Sequence, residues 1–249
     1  MLKWPSPRIL VESGRRLIAW CRNHWFWTLV ILVFAFAGEQ VVTLPYGSIS
    51  SLAKKNPTHT AFMEQQAEQA KREGRRFSVL QKWIPLKDIP RDVINAVVVA
   101  EDGTFWSNQG FDWYELKESI GRDFAEGRWA RGASTITQQL VKNLYLSPSK
   151  NPVRKIKEWI LTWWMNRELS KTRILELYLN VIEWGNGVYG IEGASWYYFG
   201  KPAGQLSRIE AARLAAIIPD PEDLSADSDE EYVLRRTDIV LQRMEARGY

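Results

Sequence analysis

Arg131 to Asn143 reads R-G-A-S-T-I-T-Q-Q-L-V-K-N, and its spacing marks the start of a helix. Thr135 and Gln138 stand three apart just after a glycine, the separation at which a hydroxyl and a carboxamide cap each other's backbone N–H groups. Ile136, Leu140 and Leu144 then recur every four residues, which gives one apolar face. The polar set on the other side is less ordinary. Lys142 lies one turn beyond Gln138, so a cation stands on the side of the helix that its N-terminal amides and hydroxyls could offer to an anion such as pyrophosphate. A plain capped helix accounts for the apolar residues but leaves the Gln-Gln-Lys set without a purpose, and both readings stay open.

Outward from this segment the apolar period is helical nearly everywhere from Lys82 to Pro221, with no convincing alternating run, so the fold is expected to be mainly α. Asp88 is expected to cap a helix with Pro90 in its first turn. Val93 with Val97 and Ile94 with Val98 form adjacent apolar rows, and Glu101 continues the second of them near the helix end. A carboxylate in line with an apolar stripe is partly desolvated, which raises its pKa and suits it to general acid or base work; an exposed Glu opening the next loop is the plainer alternative. Ser207 and Glu210 repeat the capping-box spacing before an alanine-rich helix that Pro219 ends. Arg154, Lys155 and Glu158 open another helix, either as a surface ion pair or as a polar first turn directed into a cleft that holds a charged substrate. In the second case Glu101 and Glu158 are two carboxylates available to glycosyl transfer.

Trp25 to Leu44, WFWTLVILVFAFAGEQVVTL, is long enough to span a hydrocarbon layer of ~30 Å. Lys3, Arg8, Arg15, Arg16 and Arg22 precede it and only Lys54 and Lys55 occupy the next twenty positions, a bias that places the N-terminus inside and the remainder outside. Ala35-Phe36-Ala37 also resembles a signal-peptide cleavage site, and a buried globular helix is a third reading. The segments are therefore a basic cytoplasmic N-terminus (1–24), a transmembrane helix (25–44), a polar connector (45–81), the core (82–221), and a C-terminal tail with a closing helix (222–249). A single cysteine and two histidines argue against a disulfide framework and a zinc site, so any metal should be held by oxygen. A net charge of +4 points to anionic lipid or pyrophosphate rather than nucleic acid.

Taken together, E-D-G-T-F (101–105) with Gly110 and Asp112, the 131–143 segment, R-K-I-K-E (154–158), R-I-L-E-L-Y-L-N (173–180) and W-G-N-G-V-Y-G-I-E (184–192) resemble the peptidoglycan glycosyltransferase domain of class A penicillin-binding proteins and monofunctional biosynthetic transglycosylases. With no transpeptidase motifs following, the monofunctional type is expected. The resemblance implies a lysozyme-like head lobe over 82–221 and a jaw lobe that dips into the membrane, for which Phe105, Trp106, Phe111, Trp113, Tyr114, Phe124 and Trp129 are suited. It implies that Glu101 deprotonates the acceptor sugar 4-hydroxyl and that lipid II is polymerised into linear β-1,4 glycan with inversion. Glu158 then assists departure of undecaprenyl pyrophosphate, directly or through a divalent cation (Mg or Mn); no organic cofactor is expected. Ser134, Thr135, Gln138, Gln139, Lys142, Asn143, Lys150, Arg154 and Lys155 match substrate-binding positions.

The expected partners are lipid II, the growing lipid-linked chain, the membrane, and cell-division or wall-synthesis proteins. The expected location is the inner membrane, single-pass, with a periplasmic catalytic domain. Asn108 stands where the family usually carries histidine, and Ala133 replaces a common glycine. Two rivals remain at this stage, a non-catalytic scaffold of the wall-synthesis machinery and a lysozyme-like glycan-cleaving enzyme. The basic segments speak against the latter, since cleaving a neutral glycosidic bond needs no pyrophosphate clamp.

Overall fold

A computed structural model of the chain describes residues 20, 22–126, 134–147 and 151–249. It separates into two compact units, Met1–Leu44 and Pro45–Tyr249. In the first, α1 (Trp25–Val42) is apolar on every side. Its Trp25, Phe34 and Val42 side chains are 68, 73 and 79% exposed, so its own unit gives them no cover. Such a helix is long and apolar enough to cross a membrane.

The second unit contains α2 (Tyr46–Ser51), α3 (Ala61–Arg72), α4 (Arg91–Glu101), α5 (Trp113–Glu126) and α6 (Ile136–Tyr145). It continues with α7 (Pro152–Glu168), α8 (Lys171–Val181), α9 (Ile191–Phe199), α10 (Arg208–Ile217) and α11 (Glu231–Ala246). Helix α6 packs against α7, α8 and α3, while α4, α10 and α11 pack together. Both capping boxes form as their spacing predicts, Thr135 with Gln138 opening α6 and Ser207 with Glu210 opening α10. Ile136, Leu140 and Leu144 are buried along one face of α6.

Several expectations need correction. The polar connector 45–81 is part of the compact unit, and its helix is not solvated all round: Ile49, Leu52, Met63 and Ala70 are buried. Arg173 ties this stretch down, its Nε donating to the Leu52 carbonyl at 2.8 Å and its Nη2 to the Lys55 carbonyl at 3.0 Å. Few apolar residues carry this anchoring, which hides it among charged neighbours. Likewise the segment after Pro221 is no mere tail, because Val233, Val240 and Met244 of α11 are buried.

Asp88 closes a short 3-10 turn instead of capping α4, whose cap position is Pro90. Ile89, preceding that proline, is held extended at φ −89° and ψ 128°, as the clash with a proline ring requires, so the helix starts only after Pro90. A small sheet also exists: β1 (Leu80–Gln81) runs parallel to β3 (Val188–Tyr189), which pairs antiparallel with β2 (Glu183–Gly185). These strands are too short to show alternation. Asn180 fastens the chain beyond β1 by accepting from Ile84 N and donating to Ile84 O, each at 2.9 Å.

Candidate active site

Helix α4 ends on Glu101, and the following loop is stitched to the start of α6 by the next residue. The buried Asp102 carboxylate accepts from Ile136 N at 3.1 Å and from Asn108 Nδ2 at 2.8 Å. The Thr135 hydroxyl donates to the Gly110 carbonyl at 2.7 Å, a second stitch. Asn108 Oδ1 in turn accepts from Gly110 N at 2.9 Å and Lys171 Nζ at 2.8 Å. The Lys171 ammonium also lies 4.7 Å from the centre of the Phe105 ring, and burial lowers its pKa to about 8 against the pull of Asp102.

Glu101 is half-buried at this junction. Its Oε2 accepts from Gln139 Nε2 at 2.7 Å, and Gln139 Oε1 accepts from the buried Tyr178 hydroxyl at 2.8 Å. The phenol thereby fixes which end of the carboxamide meets the carboxylate. Burial pushes the Glu101 carboxyl above its ordinary value and Asp102 adds to that, while the Gln139 bond, Arg236 and Lys142 pull it back. A carboxylate shifted toward neutrality in this way can accept a proton from a hydroxyl.

The second carboxylate is more deeply enclosed. Glu158 is 3% exposed, so the plain surface-pair reading of R-K-I-K-E does not hold. Arg154 Nη1 donates to its Oε2 at 2.9 Å and Lys155 Nζ donates to its Oε1. Lys142 is exposed on α6 and stands between the two acids electrically: protein packed around its ammonium lowers its pKa, as do Arg154 and Lys155, while Glu158 and Glu101 raise it. Among the described residues its ammonium has no hydrogen-bond or ion-pair partner. Two carboxylates with an unpaired cation in reach of both can take a proton on one side and stabilise a departing anion on the other.

A sequence model of the transglycosylase family matches residues 65–245. The biosynthetic peptidoglycan transglycosylase of Nitrosospira multiformis is 37% identical over 229 residues, covering 89% of this chain and 96% of the relative. That of Herminiimonas arsenicoxydans is 40% identical over 223 residues, covering 90 and 96%. That of Chromobacterium violaceum is 38% identical over 219 residues, covering 88 and 95%. The chain belongs to the transglycosylase family.

As a transglycosylase, it is a glycosyltransferase of peptidoglycan synthesis, and its mainly helical build agrees with that. The structure sorts the residues singled out by sequence. Glu101, Gln139 and Lys142 come together, as do Arg154, Lys155 and Glu158. Thr135 and Gln138 are occupied in the helix cap, and Asn143 Nδ2 donates to the Gln139 carbonyl at 2.9 Å. Ser134 and Thr135 line a recess of about 540 Å³ with Glu101 and Asp102. Lys150, Ala133 and Trp129, like the side chain of Phe124, lie outside the described residues.

Two corrections bear on the transglycosylase site. The start of α6 is not an open anion cradle, since Asp102 already supplies the anion at Ile136 N. Phe105 is fully buried beneath Lys171, whereas Trp106, Trp113 and Tyr114 are 47, 63 and 71% exposed. Sequence reasoning passed over Tyr178 and Lys171, whose only local signal was a place inside or beside the R-I-L-E-L-Y-L-N motif.

Proposed function

We propose that the chain polymerises lipid II, the lipid-pyrophosphate-linked disaccharide, into linear β-1,4 glycan. The observation that carries this reading is the unpaired Lys142 ammonium in electrostatic reach of a raised-pKa Glu101 on one side and the Arg154–Lys155–Glu158 cluster on the other. Glu101 takes the proton of the acceptor 4-hydroxyl as that oxygen forms a bond to the donor's anomeric carbon. The bond from that carbon to the pyrophosphate oxygen breaks with its electron pair, inverting the centre. Lys142, Arg154 and Lys155 offset the charge that collects on the leaving group.

A divalent cation, magnesium or manganese, fits as an ion shared with substrate. Among the described residues no cluster of three carboxylate, histidine or cysteine ligands exists. Glu158, whose oxygens now accept from Arg154 and Lys155, would supply one carboxylate, and pyrophosphate oxygens with water would complete an arrangement common for magnesium. Such an ion would neutralise charge on the leaving oxygens. Ser134, Gln139 and Asn143, with Lys150 beyond the described residues, complete the proposed substrate-binding set; Thr135 and Gln138 serve it through the helix cap.

The apolar surface of α1 supports anchoring in the cytoplasmic membrane, and the basic residues before Trp25 support an inside N-terminus with the catalytic unit outside. Exposed Trp113, Tyr114, Ile156, Trp159 and Trp163 suit contact with lipid and with the lipid-linked substrate. The test is to incubate the detergent-solubilised full chain with labelled lipid II and a divalent cation, then digest the product with muramidase. Muramidase-sensitive polymer from the wild type and none from folded Glu101→Gln is the expected result. Near-normal polymer from that variant would remove Glu101 as the base, and polymer from neither protein would favour a scaffold.

A further inference from the structure

Helix α11 carries Arg236 and Arg243, and Arg247 caps its C-terminal end; intervals of seven and four residues place all three on one side. Each donates to a main-chain carbonyl. Arg236 Nε reaches Ala216 O at 3.0 Å, Arg243 Nη1 reaches Val99 O at 3.4 Å, and Arg247 Nη1 reaches Gly103 O at 2.6 Å. Val99 and Gly103 flank Glu101 by two residues on either side. Val99 O belongs to the last turn of α4, where carbonyls lack partners within the helix and a cation opposes the negative end of the helix dipole. The Arg247 guanidinium also occupies the space a side chain at 103 would need: a Cβ built there would meet Nη2 at 2.5 Å and Cζ at 3.2 Å. Gly103 does not sit in the left-handed region, so its lack of a side chain makes room for this arginine rather than for an unusual backbone turn. Arg243 and Arg247 line the same recess as Glu101.

We propose that Arg247, assisted by Arg243, is a positioning residue for glycosyl transfer, holding the backbone on both sides of Glu101 so that its carboxylate keeps its aim at the acceptor hydroxyl. This rests on Glu101 being the base. Arg236 belongs to the same device electrically, since its charge draws the Glu101 carboxyl down against the effect of burial. The closing helix is thereby part of the catalytic apparatus, although it contributes no group to the reacting atoms.

The experiment is a double-mutant cycle on the full chain in detergent, measuring kcat and KM for labelled lipid II with wild type, Arg247→Ala, Gly103→Ala and the double variant. An alanine at 103 must push Arg247 aside, yet the displaced atoms are the end of a flexible side chain, so folding should be little affected. Each single change should lower kcat by roughly tenfold with KM within about twofold, the pattern of an interaction used only in the transition state. The double variant should be no slower than Arg247→Ala, and Arg247→Lys should recover part of the loss. Wild-type kcat in Arg247→Ala, or fully additive losses in the cycle, would overturn the proposal while inactive Glu101→Gln kept the base assignment. Full activity in Glu101→Gln would overturn both.

Discussion

Replacing Glu183 by glutamine should make the protein more stable at alkaline pH and leave it unchanged in acid. The Glu183 carboxyl is 6% exposed, in β2, with Oε1 accepting from Gly187 N at 3.2 Å. Burial chiefly, with nearby Glu222, raises its pKa to about 7 against the opposing effect of the Gly187 bond. The folded chain therefore holds this proton more tightly than the unfolded chain, whose carboxyl titrates near 4.5. Below 4.5 both states are protonated and nothing is lost. Between 4.5 and 7 the native state binds more protons, so stability falls as pH rises, by about 1.4 kcal/mol per pH step, to a ceiling on the order of 3 kcal/mol. Above 7 both states are ionised and the penalty stays constant. Glutamine keeps the carbonyl for Gly187 N and carries no charge to bury. Thermal unfolding of the full chain in one detergent from pH 4 to 8.5 should give a difference near zero at pH 4. The difference should grow to a Tm gain of about 5–10 °C and level off beyond pH 7.5. A difference independent of pH, or a variant less stable than wild type at pH 8, would refute the reasoning.

Asn108→Ala should remove a donor from Asp102 and an acceptor from Gly110 N and Lys171 together, costing about 1–3 kcal/mol in denaturant unfolding and lowering polymerisation. Gly187→Ala should destabilise by more than ~1 kcal/mol, because φ is +75° and the added Cβ would lie 2.5 Å from the Ser78 carbonyl oxygen; calorimetry measures it. Glu158→Gln should cut the rate of polymer formation by roughly a hundredfold or more and flatten its dependence on added magnesium, whereas chelation should slow only the wild type. Retention of the wild-type metal response in Glu158→Gln would argue against the shared ion.

The parts of the fold that could be read from sequence are those set within a few residues. Thr135 with Gln138 and Ser207 with Glu210 satisfy amides three positions away, so spacing alone identifies them. Glu101 at the end of α4 followed from the apolar rows before it. Parts held by distant partners could not be read in that way. Asp102 meets an amide 34 residues later, Gln139 is oriented by a tyrosine 39 residues on, and Asn180 grips a strand extension 96 residues earlier. Met63 and Ala70 anchor α3 one heptad apart among charges, too sparse a pattern to separate from a solvated helix. The misplaced start of α4 has a local cause that outweighed the capping preference of Asp88, namely the extended backbone imposed on Ile89 by Pro90.

The fixed carboxamide of Gln139 has a consequence for turnover. It offers only N–H to Glu101 Oε2, and Oε1 has no hydrogen-bond partner among the described residues. On the proposed role of Glu101, a proton taken from the acceptor would reside on its Oε1, and Gln139, whose oxygen is turned toward Tyr178, could not relay it. Glu101 lines the recess it shares with Ser134, Arg243 and Arg247, which gives water access to that side. Restoring the proposed base for each added disaccharide would then depend on water reaching that recess, which would make deprotonation of Glu101 part of the rhythm of elongation.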